Sequence, residues 1–144
     1  MNKIYLLLGS NIGNSKEELD TAIKLIEKKV GKLSRKSGIY VTAAWGNTDQ
    51  PDFLNKVILV ESKLTAEETL QAILAIEKKM GRERTVKNAP RIIDIDILFF
   101  NKEIINLPDL VVPHPELQNR RFVLIPLNQI APLFVHPVLK KTVH

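Results

Sequence analysis

The chain holds no cysteine, which removes disulfides, thiolate nucleophiles, C-x-x-C redox chemistry and cysteine-ligated zinc together and suits a reducing compartment. It also lacks a long apolar run. The longest near the amino end, Ile4 to Leu8, is too short to span a bilayer or to form the core of a signal peptide, so the sequence predicts a soluble, cytoplasmic protein. Glycine (6) and proline (8) are few, and 44% hydrophobic with 26% charged residues excludes collagen-like and disordered chains. Aromatics make up only 6%, so where they fall is informative. What is present is one domain's worth of chain, 144 residues, with a formal net charge of +5 that would draw an anionic partner without saying which.

Lys3 to Leu8 reads as a short buried strand running into the turn Gly9-Ser10-Asn11-Ile12-Gly13-Asn14. Ser15 with Glu18 forms a capping box, and Leu19, Ala22, Ile23, Ile26 and Val30 follow at helical spacing until Gly31. Lys32 to Val41 resumes a strand pattern, Thr42 to Asp52 is polar, and Phe53 to Lys63 is rich in β-branched residues. Thr65 with Glu68 is a second capping box, opening a helix that carries Leu70, Ile73, Leu74 and Glu77 and ends at Met80 before Gly81. After a polar, Arg-rich loop, Arg91 to Phe100 is the last clear strand. The order β-α-β-β-α-β predicts an α+β, ferredoxin-like core, two helices on one face of an antiparallel sheet, with a C-terminal extension, all in a single domain over residues 1–144. In that extension Lys102 to Ile105 is expected as a hairpin partner, Pro108, Pro113 and Pro115 punctuate a loop, and Phe122 to Ile130 is either helix or strand.

Period-two geometry in Arg91 to Phe100 sets Ile93, Ile95 and Ile97 on one face and Asp94 with Asp96 on the other. Two like charges side by side in an apolar strand are costly unless a cation neutralises them, and magnesium is the hard cation that suits carboxylates, water and phosphate oxygens. The alternative is two solvated acids on an exposed edge. Arg82, Arg84, Lys87 and Arg91 immediately precede them, and cations facing a metal site imply something anionic between, such as a polyphosphate. The Gly9 to Ser15 turn lacks the lysine of a Walker A loop and the third glycine of a Rossmann fingerprint. His114, between two prolines, and the arginines of Asn119-Arg120-Arg121-Phe122 could donate to phosphate. Phe53 and Phe122 could clamp a flat ring whose polar edge Asn55 reads with both ends of its amide, although patterning alone also permits both rings in the core.

Taken together, Gly9-Ser10-Asn11, Asp49 to Asn55, Gly81-Arg82, Pro90-Arg91-Ile92-Ile93-Asp94-Ile95-Asp96, Val112-Pro113-His114 and Asn119 to Phe122 make the chain resemble the 6-hydroxymethyl-7,8-dihydropterin pyrophosphokinase family of folate biosynthesis, from Lys3 to about Pro132. The Pro-Arg-x-x-Asp-x-Asp segment is its most specific part. The resemblance implies transfer of the β,γ-pyrophosphoryl group of ATP to the pterin hydroxymethyl oxygen with release of AMP, and two Mg²⁺ ions on Asp94 and Asp96. It implies a pterin pocket of Phe53, Phe122, Asn55 and Asp94 completed by Thr42, Ala43 and Ala44. It further implies catalytic arginines Arg82 and Arg91, ATP contacts from these two and from Arg84, Ile97, His114 and Arg120, and a closing lid between Gly81 and Arg91. The chain departs from the family in that lid, where Asn88-Ala89 precedes Pro90 without a tryptophan, and at Asp109, Val111 and Pro115 near the expected nucleotide contacts. The expected partners are small molecules, with neither nucleic acid nor membrane, and the expected state is a monomer.

Three other classes compete on the same residues, one of them a purely structural or regulatory domain, against which an inactive Asp96→Ala variant that still folds would argue. A basic βαββαβ domain could bind RNA by stacking bases on sheet aromatics, but the required aromatic motif is absent and two acids would repel the phosphates. A two-metal nucleotidyl transferase would share the D-x-D strand, and would release pyrophosphate where pyrophosphoryl transfer releases AMP.

Overall fold

The structure, a computed structural model, describes residues 1–11, 15–42, 52–81, 93–115 and 121–143, with backbone alone at 121 and 122. Its centre is β1 (Asn2–Ser10), buried from Ile4 to Ser10 because both faces of the strand are covered. Ile4, Leu6 and Leu8 point to one apolar cluster and Tyr5 and Leu7 to a second on the opposite face. A strand covered on both sides loses the polar alternation of a half-exposed one, which is why Ile4 to Leu8 is continuously apolar.

Helix α1 (Ser15–Lys29) places Leu19, Ala22, Ile23 and Ile26 on the first cluster, with Glu17 and Glu18 in its first turn and Lys28 and Lys29 in its last, each complementing the helix dipole. Strands β2 (Gly31–Lys36), β3 (Tyr40–Thr42) and β4 (Phe53–Ser62) follow, then α2 (Ala66–Lys79) and β5 (Asp94–Phe100). The capping box expected at α2 is present: Glu68 N–H donates to Thr65 Oγ1 at 3.1 Å and Thr65 N–H to Glu68 Oε1 at 3.0 Å. Ile73 and Ile76 of α2 join the same cluster as α1. The sheet runs β2-β4-β1-β5 with β3 also on β4, every pairing antiparallel.

Two features depart from the pattern read in the sequence. The hairpin pairs β6 (Ile105–Leu107) with β7 (Leu110–Val112) around Pro108-Asp109; residues 102–104 are not strand, the chain having already turned at Asn101 with φ 52°. Asn101 tolerates that left-handed conformation because its side chain ties the turn to β1, accepting from Lys3 N–H at 2.7 Å and donating to Asn2 Oδ1 at 2.9 Å. In β5, Tyr5 pairs with Phe99 but Leu6 with Ile97, so Leu98 is an extra residue and the period of two breaks there. Leu98 and Phe99 therefore both enter the second cluster.

Of the two states left open for Phe122 to Ile130, helix is the one observed: α3 (Arg121–Ile130), despite Pro126, covers the other face of the sheet. Val123, Leu127 and Ile130 recur at i, i+4 and i+7 and pack on Tyr5, Leu7, Val57 and Leu59. Burial of that stripe offsets the helix bond that proline cannot donate. Arg35 closes the far end, its Nη1 donating to the Ile130 carbonyl at 2.9 Å.

Beyond α3 the chain folds back over this face through a bridge between Val135 and Thr142. His136 is buried there, its ring edge-on to Phe99 with centroids 5.5 Å apart. Its Nδ1 accepts from the backbone N–H groups of Val138 (3.2 Å) and Leu139 (3.1 Å), so the neutral ring carries its proton on Nε2. Burial holds its pKa below the ordinary histidine value of 6.5. Because the folded state disfavours the charged ring, this stabilisation is complete above the unfolded pKa and is lost as pH falls through 6.5 toward the depressed folded value. We expect thermal stability to fall as pH drops below the unfolded value of 6.5, and to fall less in His136→Gln, which cannot charge; parallel melting-temperature profiles for the two proteins would refute this account.

Candidate functional site

Residues directly opposite each other in antiparallel strands share a face. Gly9 of β1 lies opposite both Asn55 of β4 and Asp94 of β5, so an amide and a carboxylate flank a position without a side chain. The next row toward the sheet centre is Val57, Leu7 and Asp96. Asp94 and Asp96 thus stand together on the α3 side, as the spacing predicts, while Ile95 and Ile97 enter the core beneath α1 and α2. Both aspartates are half-buried.

Asn55 is 4% exposed and its Nδ2 donates to Thr42 Oγ1 at 2.8 Å. Thr42 reaches it from β3, where it pairs with Phe53. That bond fixes the amide plane and engages one of its two N–H groups, so the amide is less free to read a ligand at both ends than the sequence suggests. A Cβ built on Gly9 would lie 3.2 Å from Asn55 Oδ1 and 3.7 Å from Phe53 Cδ1. Glycine here is what allows the Asn55 carbonyl oxygen and the Phe53 ring to sit over the strand. Phe53, Asn55 and Thr42, three of the residues expected around a pterin, are therefore brought together beside Asp94.

On the other side of β5 a cavity of about 480 Å³ lies between α2 and the β6–β7 hairpin. Leu70, Ile73 and Leu74 of α2 form one wall, and Asp109 to Val111 with His114 form another. Ile97 and His114, both expected to touch ATP, line it, and Asp96 lines it too, connecting it to the carboxylate row. His114 is anchored by its backbone, N–H donating to the Leu98 carbonyl at 3.1 Å. Apolar walls with a few polar groups suit a flat heteroaromatic base.

Ala43, Ala44, Arg82, Arg84, Arg91 and Arg120 lie outside the described residues, as do the side chain of Phe122 and the proposed lid. Phe122 itself falls in the first turn of α3.

Sequence reasoning left one functional candidate unused. Glu77, 2% exposed, belongs to the buried stripe of α2, and its Oε2 accepts from the Ile95 backbone N–H at 2.9 Å. The signal was an acid at a helical position otherwise occupied by Ile73 and Leu70, a place where a charge needs a reason.

The family model for 7,8-dihydro-6-hydroxymethylpterin-pyrophosphokinase (HPPK) matches residues 5–132. The 2-amino-4-hydroxy-6-hydroxymethyldihydropteridine pyrophosphokinase of Aquifex aeolicus is 39% identical over 141 residues, 98% of this chain and 88% of the relative. That of Bacillus subtilis is 41% identical over 132 residues, 90% of this chain and 79% of the relative. The folic acid synthesis protein FOL1 of Dictyostelium discoideum is 39% identical over 98% of this chain, but the chain spans only 21% of that longer protein. Among solved structures, wild-type Plasmodium falciparum HPPK-DHPS with pteroate superposes with a TM-score of 0.79 at 21% identity, over 99% of this chain and 41% of the other, a likeness of fold.

The mixed α/β architecture and these matches thus define the class, a pyrophosphokinase domain of folate synthesis. The chain belongs to the 7,8-dihydro-6-hydroxymethylpterin-pyrophosphokinase family, whose members transfer a pyrophosphoryl group to hydroxymethyldihydropterin.

Proposed function

We propose that this chain by itself carries out the family's reaction, with the pterin over Gly9 and the nucleotide in the cavity behind Asp96. The pterin hydroxymethyl oxygen attacks the β-phosphorus of ATP, the bond from that phosphorus to the α,β-bridging oxygen breaks, AMP leaves and the hydroxyl proton is lost. The observation that carries this reading is the position of Asp96, in the row beside Gly9 on one side and lining the nucleotide-sized cavity on the other.

Asp94 and Asp96 are hard oxygen donors on one face, and among the described residues no group of three or more His, Asp or Glu converges to form a closed cage. That donor set fits magnesium, which takes a few carboxylates and fills its remaining positions with water and phosphate oxygens. Bound there, magnesium would neutralise phosphate charge as the hydroxyl approaches. Phe53 and Phe122 stack on the pterin, Asn55 and Asp94 bond its edge with Thr42, Ala43 and Ala44 around it, and Ile97 and His114 hold the nucleotide. Arg82 and Arg91 stabilise the charge that develops on transfer, with Arg84 and Arg120 on the phosphates.

The same reading extends to architecture. The order of β1, α1, β2, β4, α2 and β5, with strands arranged β2-β4-β1-β5 and α1 and α2 in one cluster, supports a ferredoxin-like core to which α3 and the last residues are an extension. It is a single pyrophosphokinase domain acting as a cytoplasmic monomer. No described helix is long and apolar enough to cross a membrane.

Phosphorus NMR of the protein with ATP, Mg²⁺ and 6-hydroxymethyl-7,8-dihydropterin tests the chemistry. AMP and a diphosphorylated pterin, both dependent on the metal, are expected; pyrophosphate release would point to nucleotidyl transfer instead. Asn55→Ala is expected to weaken pterin binding by about 1–3 kcal/mol, because a buried ring edge loses its partner. Calorimetric titration giving an unchanged dissociation constant would remove Asn55 from the pocket.

A further inference from the structure

We infer that Glu77 is a positioning residue for the pyrophosphoryl-transfer site, holding the strand segment that carries Asp94 and Asp96 by accepting the N–H of the residue between them. The inference rests on the reading of those two aspartates as cation ligands.

In the sheet order β2-β4-β1-β5, strand β5 is an edge. Alternate N–H groups of an edge strand point away from the sheet and need a partner. For Ile95 that partner is the Glu77 carboxylate at 2.9 Å, in a contact buried from solvent. A charged acceptor on a backbone N–H makes a shorter and stronger bond than a neutral one, and leaving that donor unmatched in the interior is costly. The peptide it fixes is joined directly to Asp94 on one side and leads to Asp96 on the other, so a shift of this peptide moves both carboxylates.

The location adds to this. Glu77 lies in the last turn of α2, which ends at Lys79, and Ile95 is the second residue of β5. One side chain therefore links the two elements between which the sequence places Arg82, Arg84 and Arg91. Apolar packing alone would have been served by leucine at this position in the stripe; the carboxylate supplies a directional bond.

Three variants separate reach from charge. Glu77→Gln keeps an acceptor oxygen at the same distance and loses the charge, Glu77→Asp keeps the charge and is one methylene short, and Glu77→Ala has neither. The probe is Mn²⁺, with the non-hydrolysable analogue α,β-methylene-ATP, read by electron paramagnetic resonance, alongside pterin binding by calorimetry and turnover. We expect Mn²⁺ affinity and kcat to fall about 10- to 100-fold in Glu77→Ala and Glu77→Asp and to stay within about threefold of wild type in Glu77→Gln, as losses of groups that orient metal ligands do. Pterin affinity, to which Asp94 also contributes, should fall in the same order as Mn²⁺ affinity, least in Glu77→Gln. Wild-type Mn²⁺ affinity in Glu77→Asp, or equal losses in Glu77→Gln and Glu77→Asp, overturns the inference; this pair decides even where Glu77→Ala fails to fold. Asp96→Ala serves as the control: wild-type Mn²⁺ affinity in that protein means the aspartate assignment itself is wrong.

Discussion

Asp96→Ala should lower turnover by about three orders of magnitude, close to 4 kcal/mol of transition-state stabilisation at 1.36 kcal/mol per tenfold. Asp96 is half-buried and outside both apolar clusters, so its loss leaves no cavity in the core and the variant is expected to melt near the wild-type temperature. The size of the effect follows from its place. It stands next to Asp94 on the face shared with Gly9 and lines the cavity assigned to the nucleotide, so removing it withdraws charge from between the two reacting molecules. Single-turnover kinetics at saturating Mg²⁺ would measure the loss. Turnover within a few-fold of wild type would remove Asp96 from the metal site.

The largest effect on stability is expected from Gly31→Ala. Gly31 opens β2 immediately after Val30 and pairs with Ser62 of β4. A Cβ there would collide with the Glu61 carbonyl oxygen and lie 2.9 Å from the Ser62 Cα, and both obstacles are backbone. Neither can rotate away, so the strands would have to part. Ser62 is also fixed in place, its hydroxyl donating to the Val30 carbonyl at 2.6 Å and accepting from Leu64 N–H at 3.0 Å. We expect a loss of about 3 kcal/mol or more, at the upper end for overpacking. Urea denaturation with an unchanged midpoint would show that the junction yields more easily than its geometry implies.

Much of this architecture was legible because its apolar residues recur at the right periods. Leu19, Ala22, Ile23 and Ile26 define α1, and the Thr65–Glu68 capping box sets the start of α2 to the residue. The pairing of Asp94 with Asp96 followed from strand geometry alone. Leu98 was not legible, since a bulge replaces one aliphatic position by two and leaves composition unchanged. Nor was α3, where Pro126 argues against a helix and the counter-argument, burial against Tyr5 and Leu59, is visible only once the sheet exists. Glu77 shows the same limit at the site. Its sequence position marks it as interior, but its partner is a backbone N–H, and backbone groups have no letter in a sequence.

The outer rims of the sheet raise a separate matter, that of self-association. Strand β5 ends in Ile97-Leu98-Phe99-Phe100, an apolar terminal strand of the kind onto which a second chain readily adds by hydrogen bonding. Two of its outward backbone groups are already taken, the Ile95 N–H by Glu77 and the Leu98 carbonyl by the His114 N–H. The opposite rim is guarded by charge, since β2 carries Lys32, Arg35 and Lys36. The contacts that tie down the carboxylate strand therefore also occupy part of its outer rim, and weakening them is expected to expose more of that rim to other copies.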